Sequence, residues 1–146
     1  MEQTNKFPSE VVDLPSLGKL YPPDSPLASG TIEMKYMTAK EEDILTNQNY
    51  IEKGIVIDKL LQALIVDKTI DYSEILVGDK NALLVATRIL GYGKDYEFEY
   101  AGEAQTVDLS LINNKELHPD IATAKENSFK FTLPTTGKVI TFNVLS

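Results

Sequence analysis

Residues 11–47, VVDLPSLGKLYPPDSPLASGTIEMKYMTAKEEDILTN, run from a proline-punctuated arm through Gly30 into one alternating strand, and from that strand straight into a capped helix. In Thr31–Met37, Ile32, Met34 and Tyr36 fall on one face and Glu33, Lys35 and Met37 on the other, the period of a strand. Thr38 then opens TAKEE with Glu41 three residues on. That is capping-box spacing, in which each side chain satisfies the other's free backbone donor, and it predicts a short helix to about Asn47. The stretch holds no group suited to catalysis and several suited to gripping a neighbouring subunit.

Five of the seven prolines, Pro8, Pro15, Pro22, Pro23 and Pro26, lie in residues 1–30. Proline fixes its own φ and biases the residue before it toward extended backbone, so neither helix nor central strand is expected there. Yet Val11, Val12, Leu14, Leu17, Leu20, Tyr21 and Leu27 recur through the arm, which is not the composition of a solvated linker. Either the arm lies over its own domain and buries these side chains, or it docks on another subunit, where preset extended geometry lowers the entropy cost of ordering. Composition alone does not separate the two.

Downstream, Ile57, Leu60, Leu61, Leu64 and Ile65 make one wide apolar stripe at helical spacing, predicting a helix over about Glu52–Val66. A third helix is expected over about Asp79–Leu90, stopped by Gly91 and Gly93. Between them, DKTIDYSEILVGD reads as a linker with an apolar knot at Ile75, Leu76 and Val77. After Gly93 the period changes to two. YEFEY (96–100), VDLSL (107–111), FKFTL (129–133) and, after the turn LPTTGK, VITFNV read as four antiparallel strands with hairpins. The fold class is α+β: an extended N-terminal arm over 1–30, a strand and three-helix segment over 31–93, and an antiparallel β-meander of about four strands over 94–146. Residues 31–146 are expected to form one compact domain.

Composition narrows the function. The chain has 146 residues, 42% hydrophobic and 25% charged, enough to bury a core without staples. Its net charge of −8 repels polyphosphate, and no basic cluster offsets it, so neither nucleic acid nor an anionic membrane is expected as a partner. The absence of cysteine removes disulfides, thiolate zinc sites and cysteine nucleophiles. The start MEQTNKFPSE lacks the basic and apolar regions of a signal peptide, and no window nears the ~20 apolar residues of a membrane span. A soluble, intracellular protein is the expectation.

Groups for chemistry are few. His118, in the loop KELHPDI, is the single histidine, so no His-pair metal motif exists and any Ser-His-Asp set depends on it alone. GYGKDY at 91–96 has glycines but follows a helix instead of a strand, and is read as a helix stop. Glu97 and Glu99 share a strand face and Glu41, Glu42 and Asp43 cluster at a helix start. A solvated face explains the first pair, and favourable interaction with a helix N-terminus the second group. No catalytic residue, metal ligand, cofactor or small-molecule substrate is expected; the chain is read as no enzyme.

Taken in order, DLPSLGKLYP, IEMKYMTAKEEDILTNQ, IDKLLQALIVD and VGDKNALLVATRILGYG resemble the baseplate hub assembly protein family of T-even-like contractile-tailed bacteriophages, over roughly residues 12–145. The resemblance implies a structural or assembly subunit, scaffolding or chaperone-like, of the tail baseplate hub. It would act in the host bacterial cytoplasm with other hub and tail subunits as partners, and leaves open a place in the finished virion baseplate. Two departures limit it. Such proteins often carry a cysteine-bearing, zinc-ribbon-like loop between the first two meander strands, where this chain has Tyr100-Ala101-Gly102-Glu103-Ala104-Gln105 and no thiolate. They also tend to continue into more helix beyond the last strand, so on this resemblance either the member is short or a further segment follows Ser146.

On this reading the partner-binding residues are Leu14, Leu17, Leu20 and Tyr21 of the arm, with Tyr36 and Met37 at the strand-to-helix passage. An alternative is a small acidic, inhibitor-like decoy presenting Glu41, Glu42, Asp43, Glu97 and Glu99 to a basic partner. Binding by such a decoy would weaken steeply with salt, whereas an apolar assembly contact would change little.

Overall fold

The computed structural model describes residues 8–146, so the part of the arm assigned to residues 1–7 lies outside the described residues. The described residues open on strand β1 (Ser9–Asp13), antiparallel to β2 (Thr31–Lys35) with Val12 opposite Ile32 and Glu10 opposite Met34. Ile65 bridges to Met34, and the Val66 N–H donates to the Glu33 carbonyl at 3.0 Å, which widens this ribbon on its other edge. The arm is therefore not strand-free. Val11 and Val12 are β-branched and free of proline, long enough with their neighbours for an edge strand.

Between β1 and β2 the chain makes a compact loop closed by the Leu14 N–H on the Gly30 carbonyl at 2.8 Å. Its inner turn depends on glycine. Gly18 sits at φ +74°, and a Cβ there would stand 2.5 Å from the Ala28 carbonyl oxygen. That clearance lets the two limbs of the loop cross and turns Leu14, Leu20, Tyr21 and Leu27 inward.

Four helical segments follow as α1 (Ala39–Leu45), α2 (Gln48–Glu52), α3 (Val56–Leu64) and α4 (Val77–Tyr92). The helix expected over 52–66 is broken at Gly54, which takes φ +66°, so α2 and α3 are separate. The Asn47 side chain accepts from the Tyr50 N–H at 3.2 Å and starts α2. Lys68 closes α3 by donating to the carbonyls of Gln62, Ala63 and Ile65, the groups a helix end leaves unpaired. The expected stop at Gly91 is corrected: α4 continues through it, and Gly93 ends the helix. A Cβ on Gly91 would stand 2.7 Å from the Met37 methyl carbon, so this glycine makes room for Met37.

Among the described residues, the buried apolar side chains run from Leu14 to Leu83. Leu60, Leu61 and Leu64 of α3 and Leu83 of α4 meet Ile32 and Met34 of β2 and the inward side chains of the loop in one cluster, with Leu90 packed at its margin. Ile75 and Leu76 of the apolar knot join this core, whereas Val77 is exposed. The fold is mixed α+β, and the arm from Leu14 to Leu27 is an integral layer of its core.

The second half carries strands β3 (Asp95–Tyr100), β4 (Glu103–Asp108), β5 (Phe129–Thr132) and β6 (Val139–Phe142), with a single turn of helix α5 (Pro119–Ala122) between the pairs. The four strands are two separate hairpins, β3–β4 and β5–β6. Ala101 and Gly102, both at positive φ, form the two-residue β3–β4 turn whose backbone twist suits a tight hairpin. The strand expected at 107–111 shifts toward the N-terminus: β4 ends at Asp108, and Leu109–Leu111 is a 3₁₀ turn started by the Asp108 carboxylate on the Ser110 N–H. Residues 144 and 145 are tied back by the Val77 N–H on the Leu145 carbonyl and by the Asn127 amide, whose Nδ2 donates to the Val144 carbonyl and whose Oδ1 accepts from the Val144 N–H.

Candidate partner-binding surface

The six residues singled out in the sequence separate by burial. Leu14, Leu20 and Tyr21 are buried in the chain's own core, so their side chains have almost no surface to offer a neighbour in this conformation. Met37 is partly buried, its methyl group seated over Gly91. Leu17 and Tyr36 remain outside. Leu17 is 59% exposed and held at φ +52°, a left-handed conformation uncommon for a residue with a Cβ. The Tyr36 hydroxyl donates to the Glu10 carboxylate at 2.8 Å, which raises the phenol above its ordinary pKa.

Tyr21 belongs to a buried polar knot that sequence reading missed. Asp79, in the first turn of α4, accepts from the Ser16 N–H at 3.0 Å, the Ser16 hydroxyl at 2.7 Å and the Tyr21 hydroxyl at 2.6 Å. The Tyr21 oxygen in turn accepts from the Leu76 N–H at 2.9 Å. Burial, with the adjoining Asp79 carboxylate, pushes the Tyr21 phenol well above its ordinary range. A cluster so sealed and so fully hydrogen-bonded clamps the arm to the start of α4. No local pattern announces it, because its partners stand 58 and 63 residues apart.

The acidic residues divide as well. Glu41 is buried against Lys35, Nζ to Oε1 at 2.7 Å, and accepts from the Thr38 N–H at 3.1 Å and from the Thr38 hydroxyl. Burial works to raise its pKa, but the Lys35 and Thr38 hydrogen bonds outweigh burial and hold the carboxyl down at about 2. Glu41 is therefore an internal ion pair at the capping box, while Glu42, Asp43, Glu97 and Glu99 face water. The exposed His118 starts α5 by accepting the Asp120 N–H at 3.3 Å on Nδ1. It edges a cavity of about 390 Å³ whose other walls include Phe129, Phe131 and Phe142. No group of three or more His, Asp or Glu among the described residues is placed to hold a metal ion. No helix among them is long and apolar enough to cross a membrane.

Exposed aromatic side chains gather on the hairpins instead. In β3–β4, Tyr96 lies opposite Val107, Phe98 opposite Gln105 and Tyr100 opposite Glu103, so these six share one face. Asp95, Glu97 and Glu99 take the other. Tyr96, Phe98 and Tyr100 are 45%, 39% and 72% exposed. In β5–β6, Phe129 stacks on Phe142 at 5.6 Å between ring centroids, beside exposed Phe131 and Ile140. The alternation that marked these strands in the sequence was legible; that their apolar faces lie open was not. A two-stranded hairpin has no second layer, so aromatic residues on it stay in water unless something covers them.

No family model, no curated protein and no solved structure matches this chain.

Proposed function

We propose that the chain is a structural or assembly subunit of a phage tail baseplate hub, acting by protein–protein binding in the infected host cell. The observation that carries the binding part is the open aromatic face of β3–β4, in a chain whose own core is already closed from Leu14 to Leu83. Contiguous exposed apolar surface of this kind marks interaction sites. The ordered resemblance of DLPSLGKLYP, IEMKYMTAKEEDILTNQ and VGDKNALLVATRILGYG to hub assembly proteins supports the choice of hub subunits as partners. Leu17 and Tyr36 add two further exposed side chains to the candidate surface.

The acidic decoy reading loses support because Glu41 is neutralised inside the fold and no longer belongs to a surface cluster. The test is immunodetection of the chain across tail intermediates and purified virions from cells infected by the phage that carries it. Co-sedimentation with hub intermediates is expected. A chain that sediments alone at every stage contradicts the proposal. Its presence in, or loss from, finished virions distinguishes a resident subunit from a transient assembly factor.

A further inference from the structure

We infer that the aromatic face of β3–β4 is a docking surface for an arginine-bearing apolar segment of a partner protein, with Phe98, Tyr100 and Glu103 as its contacts. The inference rests on the assembly reading above and names the partner's chemistry. Three observations lead to it.

First, the face already accommodates a guanidinium. Arg88 of α4 lies 5.2 Å from the Tyr92 ring centroid and 5.7 Å from that of Tyr96, while its NH groups donate to the Gly93 carbonyl at 3.0 Å and the Asp95 carbonyl at 3.4 Å. A planar cation over an aromatic face is attracted by the ring quadrupole, and guanidinium is the cation best shaped for it. Tyr96 is the first ring of the row, and Phe98 follows it with 6.0 Å between centroids. Tyr100, the third, is the most open.

Second, the row ends in a carboxylate on the correct side. Glu103 stands directly opposite Tyr100 and shares its face. A guanidinium placed over the Tyr100 ring can therefore also meet a carboxylate, gaining a charge-assisted hydrogen bond that fixes its orientation.

Third, charge decides between occupants. Lys94–Asp108 holds five carboxylates against one lysine, a net −4 within a chain of net −8. Lys94 is itself paired with Asp108, Nζ to Oδ2 at 2.6 Å. Glu103 is the carboxylate on the aromatic face itself and the other four lie on the reverse of the same thin hairpin, so the net field of the hairpin opposes a second copy and draws a basic-rimmed apolar partner. The occupant is thus a different protein carrying arginine between apolar residues.

The full-length chain, isotopically labelled, is titrated with an acetylated and amidated hexapeptide of alternating arginine and leucine, its affinity and its amide perturbations being followed by NMR. The expected result is perturbation centred on residues 96–105, and at least a five-fold weaker affinity in the doubly substituted Phe98→Ser, Tyr100→Ser chain, which keeps every charge. Glu103→Gln, a single surface change, is expected to weaken binding also, with thermal midpoints of all three chains agreeing. Equal binding by the double variant would reveal general attraction to an acidic surface and overturn the inference. So would perturbations confined to Glu42 and Asp43, absence of binding, or a wild-type dimer in sedimentation that the double variant lacks. The two proposals fail separately: a double variant that enters hub intermediates as well as wild type removes this docking surface only, whereas a wild-type chain that never enters them removes the assembly reading.

Discussion

Leu17 and Leu20 are one turn apart in the arm and opposite in fate. Leu20 is buried beside Leu14 and Leu27, whereas Leu17 points outward from a left-handed backbone that costs about 1–2 kcal/mol for an L-residue with a Cβ. Leu20→Ser therefore removes a core side chain and buries a hydroxyl, with an expected loss of about 2–5 kcal/mol in urea unfolding. Leu17→Ser is expected to change stability by less than about 0.5 kcal/mol, as surface substitutions do. Equal losses would contradict their placement. Tyr21→Phe tests the polar knot: it strands the Leu76 N–H and leaves Asp79 Oδ2 with the Ser16 hydroxyl alone, and about 1–3 kcal/mol should be lost with the fold retained. A change within error in the same unfolding assay would mean the hydroxyl is not buried as described. The sequence announced that the arm was apolar. Which of its leucines face inward depends on Gly18 permitting two limbs to cross, a tertiary fact with no local period.

At the scale of elements, what could be read was what is periodic or locally self-contained. The stripe on α3 and the Thr38–Glu41 box at the start of α1 were legible because spacing alone sets them. β1 was obscured by the prolines flanking a five-residue run, and the exposed hairpin faces by the fact that alternation records pairing and not what covers it. Leu64→Ala on α3, fully inside the cluster, is expected to cost about 2–5 kcal/mol by equilibrium unfolding; a cost under about 0.5 kcal/mol would turn that helix face toward a partner instead. At the α1 start the sign of the acid dependence follows from Glu41. Its folded pKa, about 2, lies below the ordinary carboxylate value. Its contribution is therefore complete above about pH 4.5 and is lost as pH falls toward 2. Urea midpoints compared between wild type and Glu41→Gln should differ at pH 6 and converge as the pH falls toward 2. A gap that does not narrow would contradict the buried ion pair.

The whole molecule divides its labour. The arm loop, the first ribbon, α3 and α4 build a closed core; β3–β4 carries an aromatic face that no second layer covers, whereas β5–β6 packs Phe129 against the core and leaves Phe131, Ile140 and Phe142 exposed. The change of period after Gly93 marked where the second half begins; that its strands form two separate hairpins was not legible, because alternation does not say which strands pair. The physical consequence is a gradient of local stability. Backbone amides in α3 and α4 are opened only by large-scale unfolding, while those of β3–β4 are held by one partner strand each and open locally. A partner that covers the hairpin must narrow that gradient, since opening the covered strands then also costs the binding free energy. Hydrogen exchange, measured on the free chain and on the chain within purified hub intermediates, reads this directly. Fast exchange is expected across residues 95–108 in the free chain, with strong protection of the same residues in the hub and little change in α3 and α4. Unaltered exchange in β3–β4, with new protection confined to other segments, would contradict it.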